Sequence, residues 1–174
     1  TAANLFKKNS DFEIIVYEKE EILSLDQGYG IQLATNSISI LNKIGFNNID
    51  NSNIFNPSKL NFYSNNNKIC DLDLERFNKD SVKYTTLQRS TLIEFLKDEL
   101  FTNNFRFGKE VRKVSKIKDK LLIKFSDNTN DLVDFVIVSD GVFSNTKSII
   151  ENKNIKPRYN GSVAIRTVIK ISEK

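Results

Sequence analysis

The stretch from Asp134 to Lys147, DFVIVSDGVFSNTK, constrains the fold more than any other part of the chain. Phe135, Val136, Ile137 and Val138 form an uninterrupted apolar run, the pattern of a strand buried on both faces in a parallel sheet with helices above and below. The run leads into Asp140 and Gly141, after which Ser144 is suited to cap a helix through Thr146 to Ile150. Ligands of open α/β sheets bind beyond the carboxyl ends of the strands. Asp140 occupies such an end, and Gly141 lets the backbone turn tightly and approach a ligand closely. An ordinary Asp-Gly turn after a strand has the same pattern.

A second apolar strand is expected from Phe12 to Tyr17, ending at Glu18. In dinucleotide-binding βαβ units an acidic residue at the end of the second strand accepts hydrogen bonds from the adenosine ribose. Glu18 is placed for that role, and the competing reading is a solvated charged loop with Lys19, Glu20 and Glu21. The glycine-rich turn of such a unit would lie before Thr1. The opening TAANLFKK reads as the inside of a helix, with Ala2, Ala3, Leu5 and Phe6 apolar and Lys7 and Lys8 closing it, so the expected start of the protein is upstream.

Residues 27–45, QGYGIQLATNSISILNKIG, predict a glycine loop followed by a helix. Asn36 or Ser37 is the expected cap, Ile38, Leu41 and Ile44 the buried stripe, and Gly45 the stop. Backbone groups of Gly28, Gly30 and Ile31 form a second candidate ligand surface, or else a surface connection. Leu60 to Tyr63 and Ile69 to Leu72 predict a hairpin across the polar turn 65–67. In TTLQRSTLIEFLKDELF, residues 85–101, Thr91 and Glu94 make a capping box, and Leu92, Phe95, Leu96 and Leu100 line one face of a helix. Arg89 then lies just ahead of the first turn, where its fork can reach a phosphate or ring edge, or stands in solvent. Two strands, 110–117 and 121–125, join across 118–120. A loop over 152–157 precedes a last strand from Ser162 to Ile171.

Composition removes several chemistries. The 174 residues include no histidine and a single cysteine, Cys70. A Ser-His-Asp triad, a histidine-built metal site and an intrachain disulfide are therefore excluded, and Cys70 reads as a small core hydrophobe. The 26 basic and 22 acidic residues are spread along the chain, giving a net charge of +4, a balance that does not point to nucleic acid. No run approaches the roughly 20 apolar residues of a membrane span, and no signal peptide is visible. The expected setting is cytoplasmic. No side chain stands out as a general base.

In this order the segments TAANLFKK, IIVYEKE, GYGIQLATNSISILNKIG, LQRSTLIEFL and VSDGVFSNTKSII resemble the FAD-dependent aromatic hydroxylases, the class A flavoprotein monooxygenases of the salicylate, p-hydroxybenzoate and ubiquinone-pathway type. RYNGSVAIRTVI is similar to a segment of the salicylate hydroxylase branch. The family's GxGxxG turn and its later Gly-Asp motif are not in the sequence, so the resemblance implies an internal fragment of a longer enzyme. The implied fold is α/β: a Rossmann-like FAD-binding domain with a three-layer βα core and a β-meander, plus parts of a mixed-sheet substrate domain. Residues 1–52 and 85–157 would form the FAD-binding domain, 53–84 a hairpin of the substrate-side sheet, and 158–174 the start of the substrate domain.

The resemblance further implies that Glu18 binds the adenosine ribose and that Arg89 contacts FAD. Val111 lies near the adenine through its backbone, and Asp140 serves both FAD and the approach of NAD(P)H. Lys19, Gly30, Ile31 and Gly141 count with these as cofactor-binding. The implied reaction uses NAD(P)H and O2 to hydroxylate a small aromatic substrate; peripheral membrane association would suit a quinone precursor. Two other classes fit the residues: a flavin or nicotinamide oxidoreductase of another reaction type, and a nucleotide-binding module without catalysis.

Overall fold

The computed structural model describes residues 1–8, 11–23, 25, 29–98, 100 and 104–165. In chain order the elements are α1 (Ala2–Phe6), β1 (Val16–Tyr17), β2 (Gly30–Leu33), α2 (Thr35–Asn42), β3 (Ile54–Phe55), β4 (Lys59–Ser64) and β5 (Asn67–Asp73), followed by β6 (Thr85–Gln88), α3 (Arg89–Asp98), β7 (Phe105–Arg106), β8 (Val111–Ile117), β9 (Lys120–Phe125), β10 (Asn130–Val133) and α4 (Asn145–Glu151). The chain is mixed α/β with several separate sheets. It divides into two compact units: one holds residues 1–14 and 24–104, and the other residues 15–23 and 105–165.

In the first unit β6 lies between β2 and β3, antiparallel to both. Ile38, Leu41 and Ile44, the expected stripe of α2, are buried with Phe46 and Leu87, and Leu92, Phe95 and Leu96 of α3 pack against them. Phe46 meets Phe95 edge to face, with ring centroids 5.3 Å apart, a favoured aromatic geometry. Gly45 takes the left-handed conformation (φ 98°) that ends a helix, as its position after the apolar stripe predicts. The expected cap is corrected. Ala34 is the N-cap and α2 starts at Thr35, so Asn36 and Ser37 lie inside the first turn, where Ser37 N already donates to the Ala34 carbonyl at 2.9 Å.

The expected helix over 85–101 also changes. Thr85–Gln88 is strand β6, whose residues alternate in burial, and α3 begins at Arg89. The Thr91–Glu94 pair thus lies inside the helix. Pairing on both edges of β6 outweighs a helical pattern that would otherwise run on through it. The hairpin forms as expected, with β4 antiparallel to β5 and Asn65 (φ 47°) and Asn66 (φ 65°) at the turn, but Cys70, expected in the core, is exposed on β5 opposite Phe62. Two successive positive-φ residues make the tight turn whose twist matches that of the strands, and asparagine tolerates that conformation.

The second unit is built on the meander β8–β9–β10, with register Val114 to Ile123 and Leu132 to Leu122. Ile123 and Phe125 are its buried side chains, Tyr17 packs its ring on Phe125 at 4.8 Å between centroids, and the Tyr17 hydroxyl donates to Asp131. Helix α4 packs against β8. Strand β1 runs parallel to β7, through Val16–Phe105 and Tyr17–Arg106.

The expected central strand is the main correction. Among the described residues Phe135–Val138 joins no sheet, and Phe135 is 50%, Ile137 52% and Val138 38% exposed. An apolar run records a preference for burial, but a parallel strand also needs neighbouring backbone on its edges. No described segment supplies it. The expected strand Phe12–Tyr17 is likewise confined to Val16–Tyr17, and residues 162–165 form no strand, while 166–174 lie outside the described residues.

Candidate functional site

Glu18 directly follows β1, at its carboxyl end, and main-chain bonds hold it there. Its N–H donates to the Arg106 carbonyl (2.9 Å), and its carbonyl accepts from Lys109 N (2.8 Å). The Glu20 carbonyl accepts from Gly108 N (3.0 Å). The half-buried Glu18 carboxylate takes the Glu20 N–H on Oε1 (3.1 Å), which orients the side chain and leaves Oε2 to accept from a ligand. Lys19 is exposed and pairs with Glu20 at 3.5 Å. Val111 opens β8 two residues beyond Lys109, so Glu18 and the backbone leading into Val111 are brought together by this short ladder.

One residue here escapes a reading of motifs. Gly108 has φ +66°, and a Cβ on it would lie 3.0 Å from the Glu21 carboxylate. The glycine lets segment 106–109 pass close to 18–21. The available signal was a lone glycine between Phe107 and Lys109, with no pattern to set it apart.

Asp140 and Gly141 lead into α4. Ser144 caps that helix as expected, its Oγ accepting from Lys147 N at 3.1 Å, and Asp140 Oδ2 accepts from Thr146 N at 3.3 Å. Burial alone pushes the Asp140 carboxyl up, but hydrogen bonds from Ser144 and Thr146 outweigh it and hold the group below the usual carboxylate range. Gly141 has φ +86°, a conformation L side chains rarely adopt, with open space where a Cβ would stand. These residues line a shallow groove of about 260 Å³ with Val138, Ser144 and Lys147. Glu18, Lys19 and Val111 do not line it.

The remaining predicted residues belong to the other unit. Gly30 and Ile31 lie on β2 opposite Gln88 and Leu87, and Arg89 N donates to the Tyr29 carbonyl (3.2 Å), so Gly30, Ile31 and Arg89 share one end of the β2–β6 pair. A Cβ at Gly30 would only touch the Leu87 carbonyl at 4.0 Å, so packing does not require glycine there. Gly28 lies outside the described residues. Among the described residues no helix is long and apolar enough to cross a membrane.

No family model matches the sequence, and a comparison with curated proteins finds no match. Solved structures do match the fold. The chain superposes on 2,6-dihydroxypyridine-3-hydroxylase from Arthrobacter nicotinovorans with a TM-score of 0.71 at 18% identity, over 91% of this chain and 38% of that one. It superposes on HpxO of Klebsiella pneumoniae, complexed with FAD and uric acid, with a TM-score of 0.69 at 19% identity, over 84% and 38%. For CtdE in complex with FAD the TM-score is 0.62 at 14% identity, over 84% and 36%. The chain thus spans well under half the length of the structures it matches. Its fold is the one found in the FAD-dependent hydroxylases that its sequence resembles.

Proposed function

We propose that this chain is part of an FAD-dependent monooxygenase that hydroxylates a small aromatic substrate, with NAD(P)H as reductant and O2 as co-substrate. The observation that carries the reading is the likeness of fold to a hydroxylase and to a protein holding FAD and a heteroaromatic compound. Residues 1–52 and 85–157 are assigned to the FAD-binding part, 53–84 to the substrate-side sheet and 158–174 to the start of the substrate domain.

The residues present suit the cofactor. Glu18 offers a carboxylate oxygen at the end of a parallel strand, held rigid by main-chain bonds, as a ribose diol requires. Val111 presents backbone at the start of β8 for the adenine edge, with Lys19 at the rim. Gly30 and Ile31 offer backbone, and Arg89 a guanidinium, at one end of the β2–β6 pair. Asp140 is held ionised by α4 beside Gly141, where the chain passes with no side chain in the way. Held by these residues, FAD would supply the redox chemistry that links nicotinamide oxidation to O2, with one oxygen atom entering the ring and the other leaving as water. The protein binds and orients.

The test is reconstitution. The full-length protein that contains this chain is mixed with FAD, freed of excess cofactor and examined for visible flavin absorbance, then for bleaching by NADH or NADPH and for hydroxylated product from a panel of phenols and hydroxypyridines. Retained flavin, bleaching and product are expected. Retained flavin that neither nicotinamide reduces would replace the reading with a non-catalytic nucleotide module, and no retained flavin would overturn it.

A further inference from the structure

The meander carries a feature that the flavin reading does not use. From Val111 to Phe125 the sequence VRKVSKIKDKLLIKF holds Arg112, Lys113, Lys116, Lys118, Lys120 and Lys124 against a single acid, Asp119. The fold concentrates part of this charge. Lys113 and Lys124 are directly opposite across β8 and β9, in register beside a bulge that has Arg112 as its extra residue. Directly opposed like charges on one sheet face repel. Other cations of this sheet have acids to hand: Lys109 pairs with Asp127, Lys120 with Asp134 at 3.3 Å, and Arg112 with Glu110 at 2.9 Å. Among the described residues Lys113 and Lys124 have no ion pair.

A concavity of about 360 Å³ opens at this row. Arg112, Lys113 and Lys124 line it, together with Ser126 and Asn130, and no carboxylate does. The bulge adds the Arg112 guanidinium, held on one nitrogen by Glu110, to two ammonium groups, Ser126 adds a hydroxyl, and Asn130 at the start of β10 adds an amide. That donor set is complementary to phosphate oxygens, which accept charge-assisted hydrogen bonds from arginine and lysine. Phe125, the aromatic residue of the lining, is buried and packs its ring on Tyr17, so it offers no open face for stacking a base. The run of cations is visible in the sequence, but it is the pairing of β8 with β9 that brings the two lysines together.

We infer that Arg112, Lys113 and Lys124 form a binding site for a phosphate-bearing anion on the meander, separate in its residues from those assigned to the flavin. The same chemistry is offered by a free phosphate compound and by an anionic lipid headgroup, and the test separates them. Inorganic pyrophosphate is titrated into the protein by calorimetry, and in a second arm the protein is floated with phosphatidylcholine vesicles with and without phosphatidic acid. Binding in either arm is expected to weaken as salt rises and to fall at least about tenfold in the Lys113→Gln/Lys124→Gln variant, the loss of one or more charged hydrogen bonds. Pyrophosphate binding names a free phosphate compound; binding to the acidic vesicles alone names a headgroup. Both side chains are exposed, and their removal relieves repulsion, so the variant is expected to melt no lower than the parent. The inference is overturned if neither arm shows binding, if the double variant binds as the parent does, or if Lys59→Gln, an exposed lysine of the other unit, weakens binding as much.

Discussion

Glu18→Ala isolates the contribution of one carboxylate. The bonds that position residue 18 run through its backbone, Glu18 N to the Arg106 carbonyl and Lys109 N to the Glu18 carbonyl, and they survive the substitution. What is lost is the side chain, whose Oε1 is tied to Glu20 N. A hydrogen bond to a charged acceptor contributes about 1.5–3 kcal/mol. For one ribose hydroxyl this converts to a dissociation constant for FAD raised roughly ten- to hundredfold. The control is Glu21→Ala, three residues on, where the exposed carboxylate faces Gly108 and no ligand role is assigned. Its FAD affinity is expected to stay within about twofold of the parent. Fluorescence titration of the flavin-free full-length protein with FAD measures both, with circular dichroism confirming the fold. Equal loss of affinity in the two variants, or none in Glu18→Ala, would refute the assignment.

Asp140→Ala is expected to slow flavin reduction by NAD(P)H, and stopped-flow traces matching the parent would contradict the role given to it. Gly108→Ala places a side chain at φ +66° and 3.0 Å from the Glu21 carboxylate, so a loss of about 1–2 kcal/mol is expected in urea titrations. Adding Glu21→Ala should recover the part due to the clash and leave the backbone part; complete recovery would show that the backbone costs nothing. Leu41→Ala empties a site at the centre of the first unit's core and should cost about 2–5 kcal/mol, with a cost under 1 kcal/mol inconsistent with the burial described. Hydrogen bonds from Lys109 and Thr129 hold the Asp127 carboxyl at about 2. Its folded value is depressed, so its stabilising contribution is complete above the ordinary value of about 3.9 and is lost as pH falls towards 2. Asp127→Asn should therefore flatten the fall of the urea midpoint over that acid window, and an unchanged slope would exclude the group.

The parts of the fold that could be read in advance are those where neighbouring residues decide the outcome. Alternating apolar residues and an Asn-Asn turn specify β4–β5, Lys118 with φ 54° closes β8–β9, and three apolar residues at helical spacing specify the face that α2 buries. Thr85–Gln88 could not be read this way. Its threonines and leucine suit strand or helix, and its pairing with residues 30–33 and 54–55, far away in sequence, decides between them. Of the site residues, Glu18 and Asp140 were visible because each follows an apolar run. The contact between segments 18–21 and 106–109, which makes Gly108 matter, spans more than eighty residues and leaves no local trace.

The DFVIVSDGVFSNTK stretch shows both behaviours within a few residues. Its second half forms as expected because each bond there is local: Ser144 reaches Lys147, and Asp140 reaches Thr146. Its first half depends on a neighbour's backbone, and among the described residues Phe135–Val138 belongs to no sheet. The consequence falls on Asp140, which lies between the halves. Its carboxylate is aimed by α4, through the Thr146 N–H, rather than by a ladder running into it. The direction of that carboxylate is therefore fixed by the first turn of α4, and Asp140→Asn, which keeps an oxygen for the Thr146 N–H, should hold the groove at Gly141 better than Asp140→Ala does.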